Sequence, residues 1–191
     1  MIKIHKVYLN FSVPINANTA QKLIDALVFD VPNKLDELHL VINSPGGSVP
    51  IALGIANFLE SLPCKVFTYN LSRCDSAAIV LFAAGKERIC VPESSFFSHC
   101  TKIVLNGEYS LDSLRLKYLA LKHDYERIIL FLSRKTLISC RRWKNYMMEK
   151  GHVFSAEEAL RVGLATQIKE FKFCGDFKVV TIKNELKKSE E

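Results

Sequence analysis

Residues 37–69 read ELHLVINSPGGSVPIALGIANFLESLPCKVFTY, and this stretch decides the architecture. Glu37 to Ile42 alternates and then turns fully apolar, as a strand does when it enters a buried sheet. Asn43-Ser44-Pro45-Gly46-Gly47 breaks the chain. Val49 to Leu62 then carries apolar side chains at helical spacing until Pro63 stops it. Lys65 to Tyr69 is rich in β-formers again. Strand, helix and strand in direct succession predict parallel pairing, since a chain that returns through a helix re-enters the sheet in the same direction.

The same alternation continues on both sides. Val7 to Phe11 reads as a strand, and Asn18 to Val28 places Ala20, Leu23, Ile24 and Leu27 on one helical face, with Asn16 or Asn18 as cap. After a loop over Asn70 to Asp75, Ser76 to Ala84 is an apolar helix, with Gly85 where a left-handed cap is favoured. Glu87 to Val91 and Ser95 to His99 are short strands around Pro92. The expected fold is α/β: a parallel-rich sheet covered by helices, with its chemistry gathered at the strand C-termini.

The second half changes character. From Ser110 to Leu132, apolar residues recur every three or four positions and predict one long amphipathic helix of roughly 35 Å at 1.5 Å per residue. That exceeds what a small core needs, so the helix is expected to project or to pack on another subunit. Ser155-Ala156-Glu157-Glu158 is a capping box opening a helix that ends near Gly163. Ala165 to Ile168 returns to the sheet. A C-terminal strand and charged tail occupy 173–191, with Lys183 to Glu191 expected to fray.

The chain has 191 residues, 49% hydrophobic and 24% charged, with only 8 Gly and 6 Pro, which excludes disordered and fibrous classes. One domain, 1–172, is expected. Met1 to Phe11 lacks the apolar core of a signal peptide. The longest apolar run, Ala77 to Ala84, falls far short of the roughly 20 residues of a membrane span. A cytoplasmic protein with no membrane partner is the expectation. Cys64, Cys74, Cys90, Cys100, Cys140 and Cys174 form no CxxC pair, so buried reduced thiols are expected rather than a zinc or redox site. His5, His39, His123 and His152 lack ligand spacing, so neither metal nor cofactor is expected. The net charge of +6 is spread over helix faces and the Arg141-Arg142 pair beside Trp143. It reads as a solvated surface with a packed aromatic rather than a nucleic-acid site.

Peptide hydrolysis needs a nucleophile at a tight turn or helix start, a base beside it, and N–H donors for the oxyanion. Ser76 opens an apolar helix, and His99 closes a strand in the same half of the domain. Gly46 and Gly47 follow a strand end, where glycine lets a ligand approach the backbone; a free N–H there and that of Ala77 would be the donors. Each residue also has a plainer reading: a helix cap, a satisfied interior histidine, an ordinary turn.

Together the motifs resemble a known family. NSPGG at 43–47, the block from Ser76 through Ala84-Gly85, Arg88 and Pro92 to His99, and SAEEA at 155–159 followed by Gly163-Leu164 are similar to segments of the Clp protease proteolytic subunit, in the same order and spacing. The resemblance runs from about Val7 to Ile168. It implies the crotonase-like superhelical fold with a projecting long helix, and a serine peptidase acting on peptides or unfolded protein. It also implies a homo-oligomeric ring assembled through that helix. Ser76 would be the nucleophile and His99 the general base, with Gly46 and Ala77 as oxyanion donors and Gly47 and Val49 lining the peptide-binding edge.

Three features depart from the family pattern. The expected third residue, an Asp about eight positions before the SAEEA segment, falls on Met147, or on Tyr146 if a gap is placed differently. Glu149, Asn145 or a main-chain carbonyl are the substitutes available. Asp75 stands where the family has a small residue, and would either face the pocket or turn away to pair with Arg73. The sequence begins near the first core strand, without the segment that forms axial loops and part of the ATPase docking surface in the family, which counts against an AAA+ unfoldase partner. A catalytically weak subunit that binds peptides or regulates an oligomeric peptidase is the alternative reading. The acyl-CoA hydratase branch of the same fold is a third, disfavoured because no pair of catalytic glutamates stands out.

Overall fold

In the computed structural model, residues 5–29, 35–148 and 150–184 are described. The chain opens with β1 (Lys6–Phe11), α1 (Ala17–Phe29), β2 (Glu37–Ser44), α2 (Val49–Ser61) and β3 (Lys65–Asp75). β1 pairs parallel with β2, and β2 parallel with β3. Val7, Leu9 and Phe11 with Leu38, Leu40 and Ile42 form the buried inward face, which the apolar ends of both sequence runs require.

The chain continues through α3 (Ala78–Ala83), β4 (Glu87–Cys90), β5 (Ser95–Ser98), α4 (Leu111–Lys135), α5 (Cys140–Tyr146), β6 (His152–Ser155), α6 (Ala156–Arg161), β7 (Gln167–Ile168) and β8 (Phe177–Ile182). Sheet order is β6-β5-β3-β2-β1-β8, with β4 joining β3 to β7. Every pairing is parallel except β5 with β6. All six residues of α3 are buried, because it runs through the middle of the core against β3, α2 and α4. Burial of a side chain such as Phe82 contributes about 1.5–3 kcal/mol.

Four expectations need correcting. The stretch 70–75 is not a loop: β3 runs on to Asp75 by changing partner, pairing with β4 over Phe67–Asn70 and with β5 over Arg73–Asp75. Asn70 seals the change, its amide donating to the Ser95 carbonyl (2.8 Å) and its oxygen accepting from Ser72 N–H (3.1 Å). Gly85 is no left-handed cap; a Cβ there would lie 2.3 Å from Thr68 Oγ1, so glycine is needed for close packing. The thiols are free, but only Cys74 and Cys90 are buried, while Cys140 and Cys174 are exposed. Finally, α5 was not foreseen. Ser139 caps it by accepting from Arg142 N–H, and Trp143 is fully buried with its Nε1–H donating to Thr136 Oγ1 (3.0 Å).

Helix α4 has 25 residues, capped by Ser110. Only its last turns reach the core, through Ile128, Ile129, Phe131 and Leu132; Leu111, Leu116 and Tyr118 near its start are exposed. The outward face of β1–β3 carries an aromatic layer. His39 stacks between Tyr8 (4.3 Å) and Phe67 (4.6 Å), with its ring nitrogens at Tyr69 Oη (2.8 Å) and Glu37 Oε2 (3.1 Å). Phe171, Phe173 and Phe177 close over Tyr8. No helix among the described residues is long and apolar enough to cross a membrane.

Candidate active site

The extension of β3 carries the chain to Ser76, which adopts φ 53° and alone among the described non-glycine residues has a positive φ. Such a conformation costs an L-residue about 1–2 kcal/mol and is typically stored at functional sites. Ser76 is therefore not the first residue of a helix. It stands on a sharp turn between β3 and α3, a geometry that pushes a hydroxyl out of the sheet end. Its N–H donates to the Phe97 carbonyl at 2.7 Å, which ties the turn to β5 two residues before His99.

The glycine loop presses against this turn. A Cβ on Gly46, whose φ is +85°, would lie 2.5 Å from the Asp75 carbonyl oxygen and 2.8 Å from both the Ala77 nitrogen and Ser76 Cβ. The Gly46 N–H, expected to be free, instead donates to Ser44 Oγ (3.2 Å), and that hydroxyl donates to the Val13 carbonyl (2.7 Å). Two bonds fasten the loop to Ile15, from Ile15 N–H to the Gly46 carbonyl (2.8 Å) and from Ser48 N–H to the Ile15 carbonyl (3.0 Å). The N–H of Gly47, between them, takes no part in this bridge. Ala77 is fully buried behind the turn, ahead of the first bonds of α3.

A cavity of about 640 Å³ brings Ser76 and His99 together with Gly47 and Val49. Met147 forms part of its wall and is 3% exposed. The opposite wall is one face of α4, from Lys117 through Leu121 and Asp124 to Ile128. Sequence reading missed this wall, although the spacing of those positions marks a single helical face. Asp124 accepts a hydrogen bond from Arg127 (3.2 Å).

The His99 Nδ1 lies 2.7 Å from the main-chain carbonyl oxygen of Cys100. Neither position aligned with the third residue supplies a carboxylate. Tyr146 packs on Trp143, His152 and Phe154, and Asn145 is exposed. Glu149 lies outside the described residues.

Asp75 turns away from the cavity and pairs with Arg73. Burial pushes the neighbouring Cys74 thiol well up, with the Asp75 charge adding to the effect, so it is no rival nucleophile. Arg88 ties β4 to the end of α6, donating to the carbonyls of Leu164 (2.8 Å), Gly163 (2.9 Å) and Gly85 (3.2 Å). Among the described residues no three His, Cys, Asp or Glu side chains gather as metal ligands.

A strained serine turn and a histidine at the sheet's C-terminal end, in a mixed α/β fold of this topology, define the class of Clp-type and crotonase-like proteins. The sequence matches the family described as Clp protease over residues 3–172, and the chain belongs to that family. It is 36% identical over 96 residues to the ATP-dependent Clp protease proteolytic subunit 1 of Rhodopirellula baltica, covering 49% of this chain and 42% of that protein. The proteolytic subunit of Carsonella ruddii is 35% identical over 101 residues, 52% of this chain and 51% of its own. Subunit 4 of Rhodococcus jostii is 31% identical over 131 residues, 68% and 66%. The chain thus spans about half the length, or less, of the first two of these relatives.

Proposed function

We propose that this chain is a serine-type endopeptidase acting on peptides or unfolded protein, with Ser76 as nucleophile and His99 as general base. The observation that carries this reading is that a serine held at φ 53° shares one cavity with His99 and the Gly47 loop. Ser76 Oγ would attack the scissile carbonyl carbon as its proton passes to His99 Nε2. The oxyanion would be met by the N–H groups of Gly47 and Ala77. The C–N bond then breaks as His99 returns the proton to the leaving amine, and water, deprotonated by the same imidazole, releases the acyl group from Ser76. Val49 would line the peptide-binding edge. The family supports an oligomeric ring, and the words "ATP-dependent" in the names of its relatives support a dependence on ATP, with the unfoldase partner left open by the departures from the family pattern. A fluorophosphonate probe tests the chemistry: labelling confined to Ser76 and lost in Ser76→Ala is expected, and a folded protein that stays unlabelled overturns it.

One observation favours a second reading. No carboxylate among the described residues hydrogen-bonds His99, which suits a weak or inactive subunit that binds peptides or regulates an active ring. That reading expects Ser76→Ala to leave the peptidase activity of such an assembly unchanged.

A further inference from the structure

We infer that His99 is oriented by the main-chain carbonyl of Cys100 in place of a carboxylate; this rests on the peptidase reading above. A general base in a serine peptidase needs its Nδ1–H held, so that Nε2 is the free acceptor facing the nucleophile. The 2.7 Å contact between His99 Nδ1 and the Cys100 carbonyl oxygen meets that need, because a carbonyl only accepts and so Nδ1 must carry the proton. The partner comes from the adjacent residue, so the imidazole is oriented without any other element contributing.

No described carboxylate competes for His99. The position aligned with the family's third residue is Met147, a buried, uncharged part of the cavity wall. Two described carboxylates are engaged elsewhere. Asp124, across the cavity, accepts from Arg127, and Glu158 is held by His152 Nε2 at 3.0 Å. A carbonyl fixes the tautomer but brings no full negative charge to stabilise the imidazolium. Turnover is therefore expected well below that of a complete triad, whose carboxylate is worth about 10⁴.

The test has a spectroscopic and a kinetic arm. In full-length protein labelled with ¹⁵N-histidine, the His99 signal, assigned by its loss in His99→Gln, should show a protonated Nδ1 and an unprotonated Nε2 at neutral pH. The opposite tautomer overturns the inference whether or not Ser76 reacts, so its failure is separable from failure of the peptidase reading. In the kinetic arm, Asp124→Asn and Glu149→Gln should leave the pH midpoint of fluorophosphonate labelling in place, whatever their effect on the rate. A displaced midpoint in either variant would identify that carboxylate as the orienting group and overturn the inference.

Discussion

Gly46 has two constraints on it at once, a left-handed φ of +85° and backbone atoms of the Ser76 turn where its Cβ would be. Gly46→Ala must therefore displace either the loop or the Ser76 turn. We expect fluorophosphonate labelling of Ser76 to fall by about a hundredfold, the effect of roughly 1 Å of misplacement, with secondary structure retained by circular dichroism. The glycine pair was legible in the sequence as a loop beside the chemistry. Which of its two N–H groups is tied up was not, because the acceptor Ser44 Oγ is itself positioned by Val13, 31 residues away. Asp75 had the same ambiguity in the sequence, facing the pocket or Arg73, and the strand's alternation settled it in favour of Arg73.

The change of partner along β3 shapes the site more than any single helix does. A strand that ended at Tyr69 would leave Ser76 on a loose connection; one that continues beside β5 delivers it to within a hydrogen bond of Phe97. Asn70 is fully buried at the switch, and Asn70→Ala strands the Ser95 carbonyl and the Ser72 N–H. A loss of roughly 3 kcal/mol is expected from chemical denaturation, with slower labelling of Ser76 in the folded fraction. Arg88 works similarly between β4 and α6, and Arg88→Met should cost about 2–3 kcal/mol for the charged hydrogen bonds removed. The sequence showed β3's start through its β-formers, but Ser72, Arg73 and Asp75 look like loop residues. Their strand state comes from pairing with β5, a long-range contact that local propensity does not report.

Taken whole, the molecule leaves apolar surface where a partner would sit and hides a histidine where solvent would not reach. Leu111 (83% exposed), Leu116 (67%) and Tyr118 (61%) on α4 are unusual for a free surface. Replacing Leu116 and Tyr118 together by Lys should shift sedimentation toward a smaller species with the thermal midpoint of the protomer little changed. Stability should also depend on pH through the aromatic layer. Burial lowers the pKa of His39 from its ordinary 6.5, outweighing the pull of Glu37. The unfolded chain thus takes up a proton that the folded one resists, and stability is full above about pH 6.5 and declines as pH falls below it. At Glu37, burial acts upward, but the hydrogen bonds from Lys6 and His39 prevail and hold it below the usual 4.5. Its contribution is lost in turn as pH falls through that lower range. Denaturation midpoints from pH 8 to pH 4 should trace this decline, with a shallower slope between pH 6.5 and 5 in His39→Gln.

Elements, their order and the parallel sheet could be read from the chain because apolar periodicity and turn residues are local properties. Ser76 and His99 were singled out as a pair only by the family resemblance, and the structure sets both on one cavity. Contacts between distant segments decided the rest: the φ of 53° at Ser76, where β3 runs on beside β5, and the Gly46 N–H tied to a Ser44 hydroxyl that Val13 holds. Both depend on the register of one strand against another, and register is set when side chains far apart in sequence pack into a common core.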